Sequence, residues 1–277
     1  MLVLIKGSGD LASGIALRLF HAGFDIAMTE IAAPLSVRRT VCFSRAVYEG
    51  SAIVEDVSAV LVNDEAGMRE LCHPSDSRAK KKIAIFIDPE AAIVGKLKPA
   101  VLVDAIMAKR NTGTAITDAP LVIGVGPGFR AGHDCHAVIE TRRGHTLGRV
   151  ITEGSALPNT GIPGDIGGYT VERLLRSPAE GVFEALASIG DTVKKGDVVA
   201  IVRSAQGEIP GSLGEIPIRA GIDGILRGIL PSGITVTKGM KAGDIDPRAE
   251  FSHCFTVSDK ALAVGGAVLE AILRFST

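Results

Sequence analysis

The chain has no tryptophan and only two tyrosines in 277 residues, so it lacks the aromatic platforms on which single-stranded nucleic acids stack. An excess of charge of one sign is missing too. Thirty Lys and Arg stand against 31 Asp and Glu for a net charge of -1, which leaves no electrostatic case for DNA or RNA as a partner. Cysteine is scarce: Cys42, Cys72, Cys135 and Cys254 lie far apart with no C-x-x-C, a usage that fits reduced thiols in a cytosol. No apolar run approaches the roughly 18 residues needed to span a bilayer. The opening Met1–Gly7 offers too few apolar residues before Lys6 for a secretory signal. A soluble cytoplasmic protein with no membrane partner is expected.

What is present is apolar residue and glycine, 46% hydrophobic with 33 Gly, in a length that fits two or three domains. Leu2-Val3-Leu4-Ile5 reads as a buried strand running into Gly7-Ser8-Gly9-Asp10-Leu11-Ala12, a G-x-G-x-x-A turn. A helix is expected from Leu11 to His21, closed by Gly23, and then a strand Asp25–Glu30. Each residue type has a reason. Gly7 permits the tight turn, Gly9 lets backbone approach a pyrophosphate, Ala12 lets helix and strand pack closely, and Glu30 is placed to accept from a ribose hydroxyl. Asp10 inside the turn opposes a phosphate unless it serves the helix start. A helix opened by Arg38-Arg39-Thr40, strands within 51–62, 82–87 and 100–106, and a crossover helix over Pro89–Lys98 continue a doubly wound pattern. Lys109–Thr114 reads as a second phosphate loop or as a solvated hinge.

Polar chemistry concentrates in Gly126–Ile151, with His133, Cys135, His136, Glu140, His145 and four arginines. If extended, His133–Glu140 places Cys135 on one face and His136 and Glu140 on the other. Such a cluster can ligate metal, shuttle protons or grip an anion, or it is a satisfied surface network. The second ligand pair of a zinc site is missing from the spacing, and no metal is assigned; Cys72 with His73 and His253 with Cys254 are the remaining candidates to complete one.

Towards the end, Gly181–Gly196 aligns without gaps to Gly224–Gly239, with six identities that include Thr192, Val193 and Lys195. Two copies of one strand-turn-strand unit are implied. The run Gly190–Asp197 resembles the turn of biotinyl and lipoyl carrier domains, which implies a barrel-sandwich hybrid over Gly181–Pro247. The Arg203–Glu215 stretch, where carriers display a modifiable lysine, has none, so a swinging-arm carrier is not expected. Thr170–Leu175 is expected as a helix, and Ser258 caps another running to Phe275.

The expected fold is α/β: a Rossmann-like doubly wound sheet over 1–125, a β-rich connection carrying the candidate site over 126–180, the barrel-sandwich hybrid over 181–250, and a C-terminal helix over 251–277. Lys6–Gly14, Glu30, Arg38-Arg39-Thr40, Asp134–Thr141, Arg143-Gly144-His145, Asn159-Thr160-Gly161 and Ser258–Ala263 together resemble the YqeB-type family over nearly the whole chain. That resemblance implies an accessory role in maturation or cofactor biosynthesis of selenium-dependent molybdenum hydroxylases, with a distant likeness to XdhC-type factors. No catalytic residues carry over from that family; the glycine turn itself gives the expected ligand, a molybdopterin dinucleotide or NAD(P), bound near Gly7, Gly9, Ala12, Glu30 and Arg39. Cys135 is then the candidate for handling sulfur or selenium, with His136, Glu140 and His145 beside it. The hydroxylase apoprotein and a second copy of the chain are the expected partners. An NAD(P)-dependent oxidoreductase using His136 or His145 as acid, and a non-catalytic docking scaffold, are the alternatives.

Overall fold

The computed structural model describes residues 1–72, 80–204 and 214–275. The first element, β1 (Leu2–Lys6), is followed by α1 (Asp10–His21), β2 (Asp25–Glu30), two short 3-10 turns, α2 (Ala46–Glu49), β3 (Ser51–Val54), β4 (Val57–Val62), α3 (Glu65–Cys72), β5 (Ile83–Ile87), α4 (Val94–Leu97), β6 (Val101–Asp104), β7 (Leu121–Val125), β8 (Ala137–Ile139) and β9 (Val150–Ile151). These strands form one nine-stranded mixed sheet in the order β3-β4-β5-β2-β1-β6-β7-β8-β9. Neighbours from β4 to β8 pair in parallel, while β3 and β9 close the two edges in antiparallel register.

This corrects the expected doubly wound Rossmann sheet. Helical crossovers are confined to one half of it among the described residues, α1 between β1 and β2 and α3 between β4 and β5. The connection from β5 to β6 holds only the four-residue α4, and those from β6 to β7 and from β7 to β8 hold no helix. The reason lies in residues 109–113 and 126–128, where Lys-Arg-Asn-Thr-Gly and Gly-Pro-Gly favour turns over helix. The missing layer is supplied from the far end of the chain by α5 (Asp259–Phe275), which packs on the same sheet face as α1. Strand residues alternate between two cores. Val3, Ile5, Met28 and Val103 meet Ile15, Leu19, Val264, Val268 and Ile272 on one face, while Leu4, Ala27, Leu102 and Val122 meet Met68, Leu97, Phe129 and Cys135 on the other. Each large apolar side chain so buried contributes about 1.5–3 kcal/mol before entropy is counted.

The contact between α1 and α5 is the tightest in this layer. A Cβ built on Gly14 would lie 2.6 Å from the Ala261 Cβ, and one on Gly265 would lie 2.9 Å from the Gly14 carbonyl oxygen. The expected pair Gly265-Gly266 therefore divides its labour, since a Cβ on Gly266 meets nothing within 4 Å.

The second half contains β10 (Leu174–Arg176), β11 (Gly181–Ala185), β12 (Thr192–Val193), β13 (Val198–Ser204), β14 (Gly214–Arg219), β15 (Gly224–Ile229), β16 (Thr235–Val236) and β17 (Lys241–Asp246). In place of the expected barrel-sandwich hybrid stand two four-stranded antiparallel sheets, β10-β17-β15-β12 and β14-β13-β11-β16. The sequence repeat is visible in the pairing. Gly181 faces Val236, and the residues 43 positions away in each case, Gly224 and Val193, also face each other. Each copy thus lends its short strand to the other's sheet, and the repeat extends to all four strands per copy. The expected helix over Thr170–Leu175 is instead the start of β10, because Leu174 and Leu175 pair with Asp244 and Gly243 of β17. The Ala205–Leu213 stretch, most of the region read as lacking a carrier lysine, lies outside the described residues, as does His73.

The chain divides into two compact units, one of 1–34, 41–160 and 257–277, the other of 35–40 and 161–256. Adjacent glycines in α5 are expected to respond with opposite signs. By urea denaturation, Gly265→Ala lowers stability by about 1–3 kcal/mol through overpacking, whereas Gly266→Ala raises it by about 0.5–1 kcal/mol through helix propensity.

Candidate functional site

The carboxyl ends of β1, β2, β6, β7 and β8 share one edge of the large sheet, the edge at which ligands of parallel sheets are held. Gly7 leaves β1 with φ +89, and its amide donates to the Thr29 carbonyl. Gly9 is the extended N-cap of α1 and has no side-chain cap, so the first-turn amides of the helix point to this edge. Ala12 is 1% exposed, which allows the close helix-sheet packing expected of it. Glu30 bends back onto the turn. Its Oε2 accepts from the Ser8 amide at 2.9 Å and the Ser8 hydroxyl at 2.8 Å, and its Oε1 accepts from the Ile31 amide at 2.9 Å. The Ser8 carbonyl accepts in turn from Ser13 Oγ and the Ser44 amide. The turn is locked by its own residues, and Glu30 is first a clamp on it.

Beneath the turn, Lys6 Nζ donates to Thr114 Oγ1 at 2.7 Å, and that hydroxyl donates to Asp104 Oδ2 at 2.6 Å. All three are buried, with Lys6 and Asp104 at 3.7 Å as a weak ion pair. Asn111 holds the approach, its side-chain oxygen accepting from the Gly113 and Thr114 amides. Lys109–Thr114 is therefore a folded brace for Lys6.

At the end of β8, Glu140 is 2% exposed and accepts from the Arg142 amide at 2.7 Å and the Leu157 amide at 2.8 Å. Arg143 forks onto Asp259 at 2.9 and 3.1 Å. Next to Asp259 sits Lys260, a residue the sequence marks only as part of a helix start. Burial and the charge of Arg143 press its pKa below the usual lysine value, while Asp10, Glu140 and Asp259 pull it upward. Lys260 thus stands among the start of α1, the end of β8 and the first turn of α5, positioned there by the Gly14–Ala261 contact. No periodicity in the sequence connects residue 260 to residue 10; only the tertiary packing does.

The histidine-cysteine stretch is not the extended strand expected. Strand β8 is confined to Ala137–Ile139, and His133–His136 form a turn in which Asp134 Oδ2 accepts from the Arg130 amide at 2.7 Å and His133 Nδ1 lies 3.0 Å from Asp134 Oδ1. Cys135 and His136 stand at the amino end of β8, the opposite edge from the glycine turn. His136 Nδ1 accepts from the Val122 amide at 3.0 Å, and its ring meets Phe275 edge-on. Cys135 is wholly buried, and burial pushes its thiol up to about 11, the reverse of what a reactive thiolate needs. His145 is exposed in the loop between β8 and β9 on the glycine-turn edge. Arg39 belongs to the second unit, where its Nε donates to the Ile229 carbonyl at 2.9 Å. Among the described residues, no three His, Cys, Asp or Glu side chains converge as metal ligands, and no helix is long and apolar enough to cross a membrane.

No family model matches the chain. "Uncharacterized protein YqeB" of Escherichia coli strain K12 is 47% identical over 272 residues, covering 98% of this chain and 47% of that protein. The chain is similar to YqeB. It spans about half the length of that relative. Among solved structures, an aspartoacylase family protein from Mesorhizobium loti is 12% identical at TM-score 0.29, covering 88% of this chain and 84% of its own. The ectoine utilization protein EutE from Ruegeria pomeroyi is 12% identical at TM-score 0.28 with the same coverage. A succinylglutamate desuccinylase/aspartoacylase from Rhodobacter sphaeroides is 13% identical at 0.26, covering 87% and 86%. Superpositions this loose carry no argument about activity, and none of the three is an XdhC-type factor.

All four cysteines are buried. Iodoacetamide at about pH 8 is expected to leave each unmodified in the folded protein and to label all of them in urea, read by mass spectrometry. Rapid native labelling of Cys135 would return it to the list of reactive groups.

Proposed function

We propose that the first unit binds a nucleotide-bearing anion at the glycine turn, and that the protein serves in the cytoplasm as an accessory factor for maturation or cofactor biosynthesis of selenium-dependent molybdenum hydroxylases. The ligand is the diphosphate of a molybdopterin dinucleotide or of NAD(P), and the protein partner is the hydroxylase apoprotein. The observation that carries the reading is the meeting of the uncapped start of α1, the Glu30-clamped turn and Lys260 at one strand edge. Backbone amides and the helix dipole favour a diphosphate there, and Lys260 supplies the point charge beside it. Glu30 and Glu140 oppose an anion least when their charge is taken up in hydrogen bonds. Glu30 accepts three and Glu140 two. Cys135 has no part in this reading, being buried at the other edge.

An NAD(P)-dependent oxidoreductase is the second reading, and His145 is its candidate acid because it shares the loop side of the sheet with the turn. His136 is removed from that role by its place at the amino ends of the strands.

Calorimetric titration with NAD, NADP and a molybdopterin dinucleotide decides the binding step. One ligand is expected to bind saturably, with Lys260→Ala weakening it about tenfold, the scale of one lost charge-assisted contact. Failure of all three ligands to bind would retire the proposal. For the cellular role, hydroxylase activity in cells lacking the protein is expected to return with the unaltered chain and not with Lys260→Ala.

A further inference from the structure

Helix α5 is apolar over more of its surface than the first unit covers. Its inward side, which includes Ala261, Val264, Val268 and Ile272, is buried against α1 and the sheet. In seventeen residues its only charged side chains are Asp259, Lys260, Glu270 and Arg274, so beyond the first turn the outward side lacks the continuous polar stripe that a surface helix turns to water. Leu273 is 57% exposed, and Leu269 is half-buried.

Gly266, Leu269, Glu270 and Leu273 stand at i, i+3, i+4 and i+7 of this helix, and with Arg274 they line an open recess of about 650 Å³. That spacing is the four-residue hole which receives one side chain from a facing helix when knobs pack into holes. Gly266 keeps the hole open, since a Cβ there meets nothing within 4 Å. The exposed Leu273 at its corner is the matching knob. One helix face thus carries both hole and knob, which is what a two-fold interface requires of each partner.

The charges agree with the same pairing. The hole is centred between Leu269 and Glu270, so seating Leu273 of each copy in the hole of the other makes the helices antiparallel about a two-fold axis at the level of Ala271. Glu270 and Arg274, four residues apart on one flank, straddle that level. Each acid then lies across the axis from the other copy's base, and a copy of this face meets itself with no conflict of charge.

We propose that the outward face of α5 is a self-complementary dimer interface, in which Leu273 of each copy fills the recess beside Gly266 of the other and Glu270 pairs with Arg274 across the axis. One helix from each copy buries an area at the small end of specific interfaces, so the two copies dissociate in the micromolar range. The pairing does not depend on a ligand at the glycine turn.

Analytical ultracentrifugation of the full chain between about 1 and 100 µM is expected to show a reversible equilibrium of monomer and dimer. Leu273→Glu puts a charge in the recess, and Gly266→Leu fills it with a good helix former; each is expected to leave monomer throughout. Glu270→Arg sets like charges across the axis and is expected to weaken the dimer about tenfold, and adding Arg274→Glu to the same chain is expected to restore it. Circular dichroism checks that each variant folds. Monomer at every concentration, a dimer indifferent to Leu273→Glu and Gly266→Leu, or a paired charge swap that restores nothing overturns the proposal.

Discussion

The first unit depends on the close approach of two helices from opposite ends of the chain, Asp10–His21 and Asp259–Phe275. Helix α5 reaches α1 only because Gly14 and Gly265 present no side chain where the backbones meet. That approach seals one face of the nine-stranded sheet with Val264, Val268 and Ile272. It also carries Asp259 and Lys260 to the strand edge where the glycine turn opens. Core and candidate site are therefore products of one contact. Anything that pushes α5 outward exposes apolar surface and removes the lysine from the start of α1 together.

Local chemistry was readable where it decided local structure. The apolar run before Gly7, the turn itself, α1 and β2 all form as their residues imply, since a short apolar strand, a glycine turn and an amphipathic helix each follow from neighbours in sequence. The repeat was equally legible, and its pairing shows why the glycines recur: a Cβ on Gly181 or Gly224 would strike the carbonyl oxygen of Arg203 or Asp246 at 2.2 or 2.5 Å. The failures were tertiary. Thr170–Leu175 has residues at ease in a helix, yet the edge of β17 captures Leu174 and Leu175 as a strand. His133–His136 alternates like a strand, yet the hydrogen bonds of Asp134 to Arg130 and His133 fold it into a turn. Doubly wound topology needs a helix in each crossover, and the glycine- and proline-containing connections from β6 to β7 and from β7 to β8 hold none. Lys260 escaped notice because its neighbours Asp10 and Glu140 are assembled by the fold.

Two uses of buried charge separate the units. In the first, Lys6, Thr114 and Asp104 form a closed chain of donors and acceptors that braces the turn from below, with little left for a ligand. In the second, Arg227 and Arg248 both pair with the buried Asp246, while the matching pair of the repeat, Arg203 with Glu184, lies on the surface.

The central claim is that an anionic ligand rests on the start of α1 under Lys260. Amide chemical-shift mapping during nucleotide titration tests it most directly. The account predicts saturating shifts concentrated at Gly7–Ala12, Glu30 and Lys260, with the Cys135–His136 edge unmoved. Shifts centred on Cys135 and His136, or a spectrum unchanged at every nucleotide concentration, would contradict it.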